Sequence, residues 1–497
     1  MKKIVCLITL TILAFLSACK HPEQPSVNLF FTADIEGVFW ARPEPQYSNE
    51  VTGGLSVLKA FLDKQTTPFL LLDGGNWFAQ TPEGTLTQGA YFNSAAAALP
   101  YAGRLFTEQD LAYGWDSLSK IIKTSPAPFV LSNVTLNNGK LPAGAKPYLL
   151  QEVGGYKIGV IGLISPLALA NKQRMDAISI YPEIEAARQA VQQLRDQGAQ
   201  VIVALTALNT SGDDYSITEA ELAEEVEGID VILISNLDRE AAEVTRQGKT
   251  LLVYPGARLD GVGQVKLFFN KNGELTDAQF QDMALYRRDY GENTDVLAQI
   301  ENVRRAVQAP MNHQIGRSEK KLTGNLNAES SLGDWAADCL RKWAKADAAI
   351  VNSAALRDVL PKGQVTQYDL YKVYPYADHV TLLTMRGDAL LHALEAELSV
   401  IDNFAQIAGL QVRYNPALPA GRRVLSVLVN NKPLQLRGTY RVAITDHMLA
   451  GGAGHDAFID SLEFKNTQVE MRTVLRLCLT STKVNAAPQG GRWSAQP

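Results

Sequence analysis

Histidine is scarce in this chain and absent from a long stretch of its first half. The 497 residues hold six, His21, His313, His379, His392, His447 and His455, and none falls between positions 22 and 312. Imidazoles bind transition metals tightly while adding no charge. That stretch therefore cannot supply an imidazole-built metal centre. A basic excess is lacking as well: 47 Lys and Arg stand against 52 Asp and Glu, a formal charge of −5. Binding phosphate backbones calls for a basic face, so no nucleic-acid partner is expected. There is no low-complexity tract and no internal repeat. Only four cysteines occur, Cys6, Cys19, Cys339 and Cys478, and no two have metal-ligand spacing. No apolar run after the first 15 residues reaches the roughly 18–20 residues a membrane-spanning helix needs.

What is present begins with a processing signal. Lys2 and Lys3 precede an apolar run, Ile4 to Phe15, followed by Leu16-Ser17-Ala18-Cys19. A basic start, a short apolar stretch and small residues before a Cys resemble the bacterial lipoprotein cleavage box. Residues 1–18 are then a signal peptide, Cys19 carries the lipid, and residues 19–27 form a tether. Lys20, with no Asp after the Cys, favours the outer membrane, and the lipid is the expected membrane anchor. Once Cys6 is removed and Cys19 acylated, Cys339 falls in a helical pattern and Cys478 in a strand-like run. A disulfide between them is allowed outside the cytoplasm; two buried free thiols is the simpler expectation.

From residue 28 to 290, short apolar runs alternate with helical stretches. "TPFLLLDGG" (67–75), "PFVLSNV" (128–134), "YKIGVIGLIS" (156–165), "AQVIVAL" (199–205) and "IDVILIS" (229–235) read as buried strands. "EIEAARQAVQQLRDQG" (183–198) reads as an amphipathic helix ending at a glycine. This predicts a layered α/β domain with its chemistry on the loops after the strands. Residues 291–313 form a polar connecting helix. Residues 314–497 read as α+β, with helices over 330–346 and 386–398 and strands near 348–352, 379–385, 409–414 and 438–445.

The later motifs carry a family resemblance. "VNSAALRDVLPKGQVTQYDLYKVYPYADHV" (351–380), "FAQIAGLQVRYN" (404–415), "GTYRVAITDHMLAGGAG" (438–454) and Glu329-Ser330 with Gly333-Asp334 resemble signatures of the bacterial 5′-nucleotidases. These are secreted two-domain metallophosphoesterases, and the resemblance covers nearly the whole mature chain. It implies an N-terminal layered α/β metallophosphoesterase-like sandwich followed by an α+β 5′-nucleotidase C-terminal domain. In the first half, order and strand placement hold while the residues change. The family's T-N-D-x-H-G is "FTADIEG" here, with Asp34 kept and Glu36 in place of the His. Its bridging Asp is Asn76, and its G-N-H-E is matched by "TEQD", with Glu108 and Gln109 standing for the metal Asn and the transition-state His. Thr206-Ala207 and Ser235-Asn236-Leu237-Asp238 stand where later ligand histidines belong.

The family mechanism holds two metals, makes a hydroxide from bound water and neutralises the transferring phosphoryl group. An Asn76 bridge removes one charge and one lone pair from that arrangement, and Gln109 removes a cation near the leaving oxygen. No intact catalytic set remains. Asp34, Glu36, Asn76, Glu108 and Asn236 are the candidate metal positions, all offering oxygen. No cofactor is expected; the alternative is one hard divalent cation, Ca²⁺ or Mg²⁺, in an oxygen cage. For the second domain the resemblance implies a nucleoside-like ligand. Asn352 and Arg357 would contact sugar or phosphate oxygens, Phe404 and His455 would stack on a base, and Asp460 would hold the ribose.

Three functions stay open. The favoured one is an exported lipoprotein with a decayed dimetal centre, acting as a non-hydrolysing nucleotide-binding or interaction protein. The second is an active phosphohydrolase with an oxygen-ligand site. The third is a membrane-anchored scaffold for a protein partner, with no small ligand.

Overall fold

β-Branched and aromatic residues at alternating positions build the first half. Five strands, Ser26–Thr32 (β1), Phe69–Asp73 (β2), Tyr101–Arg104 (β3), Phe129–Val130 (β4) and Ala145–Lys146 (β5), run parallel in that order. The chain then lays down a second sheet: Tyr148–Val153 (β6), Tyr156–Ile164 (β7), Val201–Ala207 (β8), Val231–Ile234 (β9), Glu243–Gln247 (β10) and Thr250–Tyr254 (β11). It returns to the first sheet with Gly261–Phe269 (β12) and Leu275–Ala284 (β13), antiparallel beside β1. The sheet orders are β13-β12-β1-β2-β3-β4-β5 and β10-β11-β9-β8-β7-β6. The computed structural model describes residues 24–43, 50–78, 81–166, 177–208, 217–235, 241–400, 403–451, 455–481 and 484–496. Cys19, Asn236 and Asp238 lie outside the described residues.

The two sheets face each other, and the period-two rule shows how. Val201, Val203 and Leu205 of β8 join the core shared with β1 and β2. Their neighbours Ile202 and Ala204 face the opposite way, onto the helix Glu183–Asp196 (α2), where Ala187, Ala190, Val191 and Leu194 are buried. Between β2 and β3 sits a short helix, Pro82–Thr87 (α1), capped by Thr81, whose hydroxyl accepts from Gly84 N at 3.2 Å. A long helix, Thr294–Met311 (α3), leads into the second half, capped by the Asn293 side chain.

The second half is α+β. The helix Ser331–Ala344 (α4) precedes Ala348–Asn352 (β14). Next come Gln367–Val373 (α5), His379–Arg386 (β15), Gly387–Glu397 (α6) and Ala405–Ala408 (β16). Leu410–Tyr414 (β17), Val424–Val429 (β18) and Lys432–Pro433 (β19) belong to a small sheet completed by Trp493–Ala495 (β22). Thr439–Thr445 (β20) and Glu463–Glu470 (β21) complete the larger sheet, of order β16-β14-β20-β15-β21.

Two expectations about the cysteines need correction. Cys478 is helical, on Met471–Thr480 (α7), not in a strand. The apolar residues there recur at Met471, Val474, Leu475 and Leu479, which is helical spacing, and all four are buried. The two thiols are also not free: Cys339 on α4 and Cys478 on α7 form a disulfide, with Cα atoms 5.6 Å apart. Packing α4 against α7 brings together residues 139 positions apart in sequence, which spacing alone could not disclose.

Candidate functional site

The strand ends carry three side chains in a backbone conformation that usually requires glycine. Asp34, Glu36 and Asn76 have φ of 49°, 54° and 58°. L-residues adopt this region at a cost of roughly 1–2 kcal/mol each, so surrounding bonds must hold them there. They do. Asp34 N donates to Gly75 O at 3.0 Å, Glu36 N to Asn76 O at 2.9 Å, and Gly37 N to Trp77 O at 2.7 Å. This short ladder zips the loop after β1 to the loop after β2. Gly74 and Gly75 let the loops approach: a Cβ on Gly74 would lie 2.8 Å from Ser235 Cβ, and one on Gly75, at φ +96°, would lie 2.9 Å from Thr107 Cγ2.

The side chains at these ends are bonded within the chain. Asn76 Nδ2 donates to Asp34 Oδ1 at 2.8 Å. Glu36 Oε2 accepts from Arg258 Nε at 2.8 Å and from Arg357 Nη2 at 3.1 Å. Thr206 Oγ1 donates to Glu219 at 3.3 Å, and Ser235 Oγ lies 2.8 Å from both Gly74 O and Thr206 O. The last contact ties the ends of β8 and β9 to the β2 loop at the positions where ligand histidines were sought. Glu108 and Gln109 sit half-buried at the start of a 3-10 turn over 109–113, with Gln109 N donating to Thr107 Oγ1 at 3.2 Å.

Two residues that the sequence reading passed over organise the cleft floor. Asp110 is buried, and its two oxygens accept from Asn76 N and Trp77 N at 2.7 Å and from Thr107 N at 2.9 Å. Burial raises its pKa, and the three backbone donors pull it back. The Thr-x-x-Asp spacing of Thr107 and Asp110 was the available signal, since it marks a turn closed by side chain to backbone bonds. Asp73 is also buried. Thr32 Oγ1 donates to it at 2.5 Å, Gly75 N at 2.9 Å, and the Trp77 indole N–H donates as well. Desolvation holds its pKa well above the usual range, against the opposing charge of Arg104. Arg104 is 1% exposed, lies 3.7 Å from the centre of the Trp77 ring, and bonds Asn93 and Ser125.

A two-metal centre does not fit these residues. A dication beside Glu36 would meet two guanidinium groups already neutralising that carboxylate. At the bridging position Asn76 presents its amide N–H to Asp34 rather than a negative oxygen. Asn76 Oδ1 is buried with no hydrogen-bond partner among the described residues, a single neutral acceptor left over. Among the described residues no group of three or more His, Cys, Asp or Glu is arranged to hold a metal ion.

Of the five residues singled out in the second half, Asn352 pairs with Ala405, next to Phe404, and His455 bonds Asn403, on the other side of Phe404 in the chain. Asn352 ends β14, is 3% exposed, and its Oδ1 has no partner among the described residues. Arg357 reaches across to Glu36. Phe404 packs against Trp493, with ring centres 5.1 Å apart. His455 is 1% exposed, its Nδ1 2.8 Å from Glu397 Oε1 and its Nε2 3.0 Å from Asn403 Nδ2. Asn403 Oδ1 accepts from Ala354 N, which fixes the amide so that its NH₂ faces His455. Both ring nitrogens of His455 are thus engaged within the chain. Asp460 is exposed, 3.6 Å from His392 Nδ1.

The sequence and structure resemble known proteins. Residues 314–460 match the family described as 5′-nucleotidase, C-terminal domain. A 5′-nucleotidase of Vibrio parahaemolyticus is 23% identical, covering 95% of this chain and 94% of its own length. The trifunctional nucleotide phosphoesterase YfkN of Bacillus subtilis is 26% identical over 67% of this chain, which spans only 24% of that longer protein. The crystal structure of a 5′-nucleotidase precursor from Thermus thermophilus superposes with a TM-score of 0.76, at 23% identity, over 95% of this chain and all of that one.

Proposed function

Because this chain belongs to the two-domain 5′-nucleotidase family, we propose that it is a member that no longer hydrolyses phosphate esters by the two-metal route and works by binding. The observation that carries the reading is Glu36. It stands where the family resemblance places a metal-ligand imidazole, and it is held by Arg258 and Arg357 at 2.8 and 3.1 Å. Two guanidinium groups beside Glu36 support this reading, because a dication there would be repelled by them. The absence of histidine from 22 to 312 supports the same conclusion. The proposal includes export and a lipid on Cys19, with the outer membrane as the site of anchoring, and a nucleotide- or nucleoside-like ligand of the second domain.

A second reading, a protein-binding scaffold without a small ligand, is favoured by one observation. His455 is buried and bonded at both ring nitrogens, so a base would find Phe404 without its partner ring. Two measurements separate these readings from an active enzyme. The purified mature chain is assayed on AMP and on bis(p-nitrophenyl) phosphate with Mn²⁺, Mg²⁺, Ca²⁺ and Zn²⁺. The expected rate does not exceed that of Asp34→Ala; metal-dependent turnover lost in Asp34→Ala overturns the proposal in favour of an oxygen-ligand site with a hard cation. Calorimetry with adenosine and AMP then decides the rest. Binding abolished by Phe404→Ala supports the nucleoside reading, and no binding supports the scaffold.

A further inference from the structure

We propose that Glu36 and Arg357 form a latch that holds the two halves of this chain in one closed arrangement. The inference goes beyond the proposed function and stands whether or not the cleft hydrolyses anything.

The latch joins two blocks, each braced internally. On the first half, Glu36 is fixed by its bond to Asn76 O, and Gly37 O accepts from Thr81 Oγ1 at 3.2 Å. Thr81 caps α1, so the Glu36 loop and α1 move together. On the second half, Arg357 N donates to Val373 O at 2.9 Å, tying the Arg357 loop to the end of α5. The segment after α5 is pinned in turn by Arg472, whose Nη1 donates to the carbonyls of Tyr374, Pro375 and Tyr376 at 3.0–3.2 Å.

These blocks meet twice. At the cleft, Arg357 bonds Glu36, whose side chain is 10% exposed. Along α1, Thr85 Oγ1 donates to Pro375 O at 2.9 Å, and Tyr368 OH donates to Glu83 Oε1 at 2.9 Å, with Gln308 of α3 donating to the same Tyr368 oxygen. The Glu83 side chain is fully buried, with Arg304 of α3 at 3.8 Å. Opening the halves would take one hydrogen-bond donor from a carboxylate at each end of the contact, Arg357 from Glu36 and Tyr368 from Glu83, and that loss resists separation. Arg258 gives Glu36 a second partner within its own half, so Glu36 stays folded and aimed when Arg357 leaves. That feature lets the contact act as a latch rather than as part of the core.

The test uses the full mature chain. Small-angle scattering reports the spread of the two halves, and limited proteolysis reports access to the joint between Met311 and Gln314. Wild type is expected to scatter as a single arrangement. Arg357→Ala, and more so Arg357→Ala with Tyr368→Phe, is expected to enlarge the radius of gyration and speed cleavage at the joint. Hydrogen bonds to charged groups shift equilibria by roughly ten- to hundredfold, and the cleavage rate should rise within that range. Arg258→Ala leaves the bond between halves intact and should change neither readout. Should the double variant lose its fold by circular dichroism, Arg357→Ala alone decides on the same readouts. Unchanged scattering and cleavage overturn the latch, as does opening by Arg258→Ala equal to that of Arg357→Ala.

Discussion

Breaking the Cys339–Cys478 disulfide gives a prediction whose size follows from chain connectivity. The bond links α4 to α7 across 139 residues. In the chain-entropy account, closing a loop of that length removes about 5 kcal/mol of freedom from the unfolded state, and loss of a native disulfide commonly costs about 2–5 kcal/mol. The two helices bury Leu332, Ala336, Leu340, Val474, Leu475 and Leu479 in one cluster, so native packing persists without the bond and the loss falls mainly on the unfolded side. For a domain of this size each kcal/mol moves the melting point by roughly 2–4 °C. Calorimetry of the C-terminal transition should therefore show a fall of about 5–20 °C on adding a reductant, matched by Cys339→Ser with Cys478→Ser. Alkylation of the unreduced, denatured chain should leave both cysteines unmodified. Equal transitions with and without reductant, or two labelled thiols at 339 and 478, would refute the reasoning.

Other predictions rest on buried acids. The Asp334 carboxyl is pushed from 3.8 up to about 7, chiefly by burial, against the pull of Arg492 and with Glu329 adding to the rise. A raised acid keeps its proton in the folded state while the unfolded chain has lost it. Stability should thus fall as pH rises from about 4 to about 7, and Asp334→Asn should flatten that slope in urea titrations run at each pH. Asp110→Ala would leave the backbone N–H groups of Asn76, Trp77 and Thr107 without their acceptor. A loss of roughly 3–5 kcal/mol is expected by urea unfolding; a loss under about 1 kcal/mol would mean that water replaces the carboxylate.

Much of the architecture was legible because period and burial coincide. The runs at 67–75, 156–165 and 199–205 are strands, since β-branched and leucine residues fill a sheet buried on both faces. The helix at 183–198 was readable from its apolar stripe and closing glycine. Cys478 misled because a short run, "LRLCL", satisfies both periods, and only the contact of α7 with α4 decides between them. Asp110 went unread although its Thr-x-x-Asp spacing was a local signal, and Arg104 because nothing local marks a buried cation whose partners, Trp77, Asn93 and Ser125, lie on other elements. Asn236, named as a candidate oxygen donor, lies outside the described residues.

Sequence by itself determined the order of elements, the two-part layout and the poverty of nitrogen donors across the first half. These follow from residue type and spacing, which any fold must respect. Tertiary structure alone decided what Glu36 meets. Read along the chain it is an acid beside an acid, ready for a cation. In the folded molecule it faces Arg258, 222 positions away, and Arg357, 321 positions away. Pairing between such distant residues depends on how strands and halves are stacked, and no local pattern encodes it.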